Sequence, residues 1–257
     1  MSDLTLCIEG PLARVVIDRP GRRNAMSLAM WREMPSLFAA AAEAAEVRVI
    51  ILQGARPDAF SAGADINELV AHAVSAEMAG SFMDTIEAAT VAMTSCPKPI
   101  VAAISGDCMG GGVELAMACD IRLASTASRF AIPPAKLGAL YGFSSTRRLV
   151  NLVGPGRAKD LLFSGRLFDA TEAYAIGLVD QLHPAEAFDA AVEAYVGVLC
   201  QRARSSISGA KTMVAAALGT LPAEDATLRR LRLDNLLGDD LKEGARAFLE
   251  KRQPSFR

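Results

Sequence analysis

An α/β fold is predicted by three observations on this sequence. Short runs rich in Val, Ile and Leu alternate with helical stretches between Leu4 and Leu182. One of these runs, Val101, Ala102, Ala103 and Ile104, is apolar throughout, as a strand covered on both faces is. Beyond about Ala185 the strand signals stop and the chain reads as helix. With 257 residues, 51% of them apolar and 22% charged, the chain can bury one large core.

Taken in order, strands are expected at Leu4 to Glu9, Arg14 to Asp18, Val47 to Leu52, Pro99 to Ile104, Ile121 to Ala124 and Leu178 to Leu182. The clearest helix runs from Leu28 to Ala45, with Ser27 placed to cap it and the Ala-rich stretch from Ala39 favouring it. Pro35 lies inside that helix, where a proline costs about 3 kcal/mol, so a kink or an earlier end is expected. The stretch from Glu68 looks helical and that around His72, AHAVSAEMAG, reads as a mobile helix, while Asn67 to Ser95 as a whole is expected to act as a loop without a chemical motif. Four helices close the chain: Glu186 to Arg202, Ser206 to Leu218, Ala223 to Leu237 and Asp239 to Arg252. No Pro/Gly/Ser linker sets them apart. The expected division is a core over 1–185 and a helical extension over 186–257.

A net charge of −2 gives nucleic-acid binding no global support, and the short basic clusters at Arg147–Arg148, Arg202–Arg204 and Arg229–Arg232 read as solvated helix faces. Five cysteines, odd in number and without C-x-x-C, argue against disulfides and a zinc site; no metal is expected. A reducing, cytoplasmic setting fits them. No signal-like N-terminus and no apolar stretch of about eighteen residues is present, so neither secretion nor membrane spanning is expected. Only His72 and His183 could serve a Ser-His-Asp triad, and neither has a nucleophile elbow nearby.

The chemistry concentrates at Ser105 to Asp120, SGDCMGGGVELAMACD. Gly110, Gly111 and Gly112 let a ligand oxygen approach backbone N–H groups, and the helix former VELAMAC places those groups at the positive end of a helix dipole. Glu114, in the first turn, could move a proton or a water while the amides hold a developing oxyanion. The plainer alternative is a Gly-rich turn whose glutamate only complements the dipole. Neither G-x-x-x-x-G-K-[ST] nor G-x-G-x-x-G is present.

A second small-residue loop, AFSAGADIN from Ala59 to Asn67, follows the strand signal VRVIILQG. Together with DRPGRRNAM (Asp18 to Met26), the Gly-rich segment and EGARAFLEKRQPSF (Glu243 to Phe256), it resembles the crotonase, or enoyl-CoA hydratase/isomerase, superfamily. The resemblance covers essentially the whole chain. It implies a spiral of ββα units with a C-terminal helical extension, and an acyl-CoA substrate with no cofactor beyond the CoA that the substrate carries. The oxyanion amides would be those of Ala64 and Gly111, and Glu114 the acid/base. CoA would lie along Ala62, Ala64, Asp65, Ile66 and Asn67 with Arg23 near, and Phe248 and Lys251 would meet its nucleotide end. The extension would build a homotrimer or a hexamer of paired trimers.

One departure matters. The hydratases use a second glutamate, and its position here is held by Pro134, which has no proton to exchange. Tyr141, seven residues on, could replace it. The decarboxylase branch, acting on malonyl-type thioesters, carries such a tyrosine; Pro133, Leu137, Gly138 and Tyr141 match it in part, while its histidine is replaced by Ala64. The resemblance leaves open hydration, isomerisation by Glu114 alone, decarboxylation, hydrolysis, carbon–carbon bond cleavage, and a CoA-binding protein without catalysis.

Overall fold

The computed structural model of the chain describes residues 3–219 and 225–256. It opens with an antiparallel hairpin of β1 (Leu4–Glu9) and β2 (Leu12–Ile17), in which Ala13, Val15 and Ile17 alternate inward with period two. Helix α1 (Leu28–Glu43) follows, its Ser27 cap accepting from the Met30 N–H at 3.3 Å. Contrary to the expected early end, α1 runs on through Pro35. Met30, Trp31, Met34, Phe38 and Ala41 form a buried stripe on it, and burying even two such side chains, at about 1.5–3 kcal/mol each, offsets the proline.

Next come β3 (Val49–Gly54), β4 (Ala59–Ser61), α2 (Ile66–His72) and α3 (Ala76–Ser95). The helical stretch expected from Glu68 is present as α2, and most of the remainder, expected as a loop, is α3. The buried residues Phe82, Ala89 and Met93 share one face of α3, which gives it a core to dock on. Then follow β5 (Ile100–Ile104), β6 (Asp107–Met109) and α4 (Gly111–Ala118), and after them β7 (Ile121–Ser125), β8 (Arg129–Ala131), α5 (Pro134–Leu137) and α6 (Phe143–Ser164), the last broken at Gly154. The rest is β9 (Leu167–Asp169), α7 (Ala170–Ala175), β10 (Gln181–His183), α8 (Phe188–Cys200), α9 (Arg204–Ala217), α10 (Asp225–Leu237) and α11 (Asp239–Leu249). The last strand starts three residues later than expected and takes in His183; Leu178 and Val179 are buried ahead of it. The start expected for the third C-terminal helix, at Ala223, lies outside the described residues.

Strands alternate between two sheets. The larger has the order β1-β2-β3-β5-β7-β10, parallel except at the first pair; the smaller has the order β4-β6-β8-β9, parallel except at the last. From β3 to β8 each turn of the spiral sends one strand to the large sheet, one to the small sheet, and then helix; the β1-β2 hairpin lies wholly in the large sheet, and α7 separates β9 of the small sheet from β10 of the large one. Helix α1 packs on α3 and β1, and α3 and α6 both pack on α4. On the other face of the large sheet, Phe188, Val192 and Val196 of α8 cover Val49, Ile51, Val101, Ala103 and Leu123. Both faces of β3 and β5 are covered, which is why those strands read as continuous apolar runs. Among the described residues no helix is long and apolar enough to cross a membrane.

Candidate active site

The two loops singled out in the sequence meet at the start of α4. A Cβ added to Gly111 would stand 3.1 Å from the Ala64 nitrogen and 3.3 Å from the Trp31 ring. Ala64 is fixed by a bridge to Met26, with Met26 N–H donating to Gly63 O at 2.7 Å and Asp65 N–H to Met26 O at 2.9 Å. This pattern uses the Gly63 carbonyl and the Asp65 N–H but leaves the Ala64 N–H free. Among the described residues neither the Ala64 nor the Gly111 N–H donates to a protein acceptor. Two glycines permit the approach. Gly63 has φ +95°, and a Cβ there would come within 2.7 Å of Met109 O; a Cβ on Gly112 would lie 2.4 Å from Ser61 O.

Glu114 lies one turn into α4, its N–H bonded to Gly110 O at 3.1 Å. Its carboxylate accepts from the hydroxyl of Ser145 in the first turn of α6. Burial raises its pKa from the ordinary value of 4.5, and the negative charge of Glu87 adds to the rise; the Ser145 hydrogen bond and the charge of Arg148 oppose it. A carboxyl so placed holds a proton at a pH where an exposed glutamate has lost it. That suits an acid beside an oxyanion site.

Tyr141 donates its hydroxyl to Gly110 O at 2.9 Å, so it supports the Gly-rich turn directly. Burial pushes its pKa well above 10, with the Glu114 charge adding to the shift. Pro134 begins α5, and the ring of Pro133 before it lies 3.7 Å from a Cβ built on Gly110. The expected CoA-side residues split into two groups. Ala62 donates its N–H to Arg23 O at 3.0 Å, which brings Arg23 to the loop; the Arg23 guanidinium pairs with buried Asp107. Asp65 caps α2 through the Asn67 N–H and binds Arg19 at 2.8 Å, and that guanidinium holds its carboxyl below the usual range. Ile66 and Asn67 are exposed on the first turn of α2. Phe248 and Lys251 lie exposed at the end of α11, which packs on α10. The two histidines stand apart: His72 contacts Glu68 O and Phe82, and His183 contacts Gln181.

Three residues of this cluster were missed in the sequence: Glu87, Ser145 and Arg148. Arg148 had been read as part of a solvated face. Its Nη2 approaches Thr90 Oγ1 at 3.4 Å, while Nη1 is buried with no acceptor among the described residues. The available signal for Glu87 was its place beside the inward stripe of α3, a signal that appears only once that stretch is read as helix.

The family description enoyl-CoA hydratase/isomerase matches residues 8–257. A crotonyl-CoA hydratase of Syntrophomonas wolfei is 33% identical over 252 residues, covering 96% of this chain and 95% of its own. Among solved structures, an enoyl-CoA hydratase/isomerase family protein from Hyphomonas neptunium superposes with a TM-score of 0.95 at 38% identity, over 100% of this chain and 98% of the other. An enoyl-CoA hydratase/carnithine racemase from Magnetospirillum magneticum gives 0.95 at 34% identity, over 100% and 96%. The chain belongs to the enoyl-CoA hydratase/isomerase family of the crotonase superfamily.

Proposed function

We propose that the chain hydrates 2-enoyl-CoA thioesters reversibly, with the Ala64 and Gly111 amides holding the thioester oxygen and Glu114 exchanging the proton at C2. The observation that carries this reading is the pair of unpartnered amides set side by side next to a buried, proton-retaining carboxyl. As a water oxygen adds to C3, charge moves onto the thioester oxygen. Two fixed N–H donors at a helix N-terminus stabilise that charge more than they stabilise the neutral carbonyl, which lowers the barrier rather than merely tightening binding. Glu114 then protonates C2, or removes that proton in the reverse direction.

CoA would run along Ala62, Asp65, Ile66 and Asn67 with Arg23 near. The Asp65 side chain is engaged by Arg19, so its backbone would make the contact. A concavity between α1 and α3 has Trp31 in its lining, whose ring lies 3.3 Å from a Cβ built on Gly111, and would offer room for the acyl chain. Phe248 and Lys251 would complete the nucleotide end in the same or a neighbouring subunit of a trimer or hexamer. Exposed Leu233, Leu236 and Leu237 on α10, with Phe248 and Leu249 on α11, support such an association. Sedimentation at a monomer mass across micromolar concentrations would remove the oligomer from this reading. Because the Tyr141 hydroxyl is occupied by Gly110 O, its role here is to position the turn rather than to orient a malonyl group.

The test is turnover of enoyl- and malonyl-CoA thioesters followed by mass spectrometry. Gain of water by a 2-enoyl-CoA, reduced roughly 10²- to 10⁴-fold in Glu114→Gln, is expected. Unchanged hydration in that variant, or loss of carbon dioxide from malonyl-CoA with no hydration, would sink the reading.

A further inference from the structure

Two consecutive hydroxyls at the start of α6 hold two different carboxylates. Ser144 Oγ donates to Glu87 Oε1 of α3 at 2.6 Å, and Ser145 Oγ donates to Glu114 of α4. Successive Cα atoms are about 3.8 Å apart, so these bonds make the two carboxylates neighbours although they come from different helices. Their proximity is felt electrostatically, since the Glu87 charge helps to raise the pKa of Glu114.

Arg148, one turn further along α6, lies in the field of both carboxylates yet makes an ion pair with neither among the described residues. It offsets the repulsion between them without occupying their oxygens. Those oxygens stay available for proton transfer, unlike the Asp107 carboxylate, which is clamped by Arg23 and Arg129. The charged and titratable groups facing the pair are thus Arg148 from α6 and Tyr141 from the segment before it.

We propose that Glu87 is the second acid–base carboxylate of this site, supplied from α3 where position 134 supplies none. The inference rests on the hydratase reading above and assigns its missing base. The Glu87 carboxylate takes a proton from water as the water oxygen bonds to C3. The C2–C3 π pair moves to form an enolate, whose oxygen the Ala64 and Gly111 amides hold. The enolate collapses and C2 takes the proton of the Glu114 carboxyl. Glu87 ends protonated and Glu114 ionised, and one proton passing from the first to the second, by way of solvent or the two serine hydroxyls, restores the starting state.

The experiment compares the full-length wild type, Glu87→Gln, Glu87→Asp and Glu114→Gln in two assays. One is hydration of crotonyl-CoA; the other is exchange of the C2 protons of butyryl-CoA with deuterated water, which needs the oxyanion amides and Glu114 but no attacking water. Glu87→Gln should lose roughly 10²- to 10⁴-fold in hydration and keep C2 exchange within a few-fold, with Glu87→Asp recovering part of the hydration. Hydration unchanged in Glu87→Gln overturns the proposal. Parallel loss of both activities also overturns it, because Glu87 would then only support the structure. A wild type that exchanges C2 protons but hydrates no 2-enoyl-CoA removes the hydratase reading and this inference together, an outcome distinct from dependence on Glu114 alone.

Discussion

The wall formed by Gly63, Ala64 and Gly111 offers only backbone amides, whereas the wall beside it, from α3 and α6, offers the side chains of Glu87, Ser144, Ser145 and Arg148. The first is made by two short contiguous loops, each fixed by a strand before it and a helix after it. The second is assembled from residues 57 or 58 positions apart in the chain, joined only when α3 and α6 pack together on α4. A backbone site tolerates almost any side chain except where space or φ forbids one, so its signature is glycine. A side-chain site has no such local signature, because its members need share only a place in space.

The comparison can be broken at the backbone wall with the larger effect. Gly63→Ala forces a side chain onto a residue at φ +95° and brings a Cβ within 2.7 Å of Met109 O and 3.0 Å of Gly111 N. It should displace one oxyanion donor, costing roughly 10²- to 10³-fold in turnover, with a loss of about 1–3 kcal/mol in stability by denaturant titration. Wild-type kcat in a folded Gly63→Ala protein would show that the amides need no such fine placement.

Ser145, on the side-chain wall, should yield a smaller and different signal. Ser145→Ala removes the hydrogen bond that lowers the Glu114 pKa, so that pKa should rise further. With Glu114 as the acid of the proposed hydration, the alkaline limb of the pH–rate profile should move to higher pH. Glu87→Gln removes a like charge and should move the same limb to lower pH. The linked effect on stability has a definite sign. A carboxyl with a raised folded-state pKa leaves the native state holding more protons than the unfolded one between the two values, so the native state loses stability as pH rises through that window. Limbs that move in one direction for both variants would show that Glu114 is not the titrating acid.

Legibility followed the same division. The large sheet was readable because its inner strands are rich in Val, Ile and Leu and β3 and β5 are apolar on both faces; β4, β6, β8 and β9 were not, since three-residue strands carry no period to detect. The Gly-rich turn and Glu114 could be named from one motif, while the Ala64 and Gly111 amides followed from the family resemblance. Tyr141 was noticed, but its link to Gly110 O depends on how α5 turns the chain back over the start of α4. The helix at α3 was read as loop, and with it went Glu87.

By itself the sequence determined the alternation of strand and helix, the helical C-terminal part, the glycine-bearing turn and the absence of a glutamate at 134, because each is encoded by near neighbours whose sterics and periodicity act locally. Tertiary structure alone decided that the turn's amides stand free beside Ala64, that Pro35 is carried inside α1, and that Glu87 joins Glu114 across adjacent serines. These outcomes turn on core burial outweighing a local preference, and on through-space placement of groups far apart along the chain.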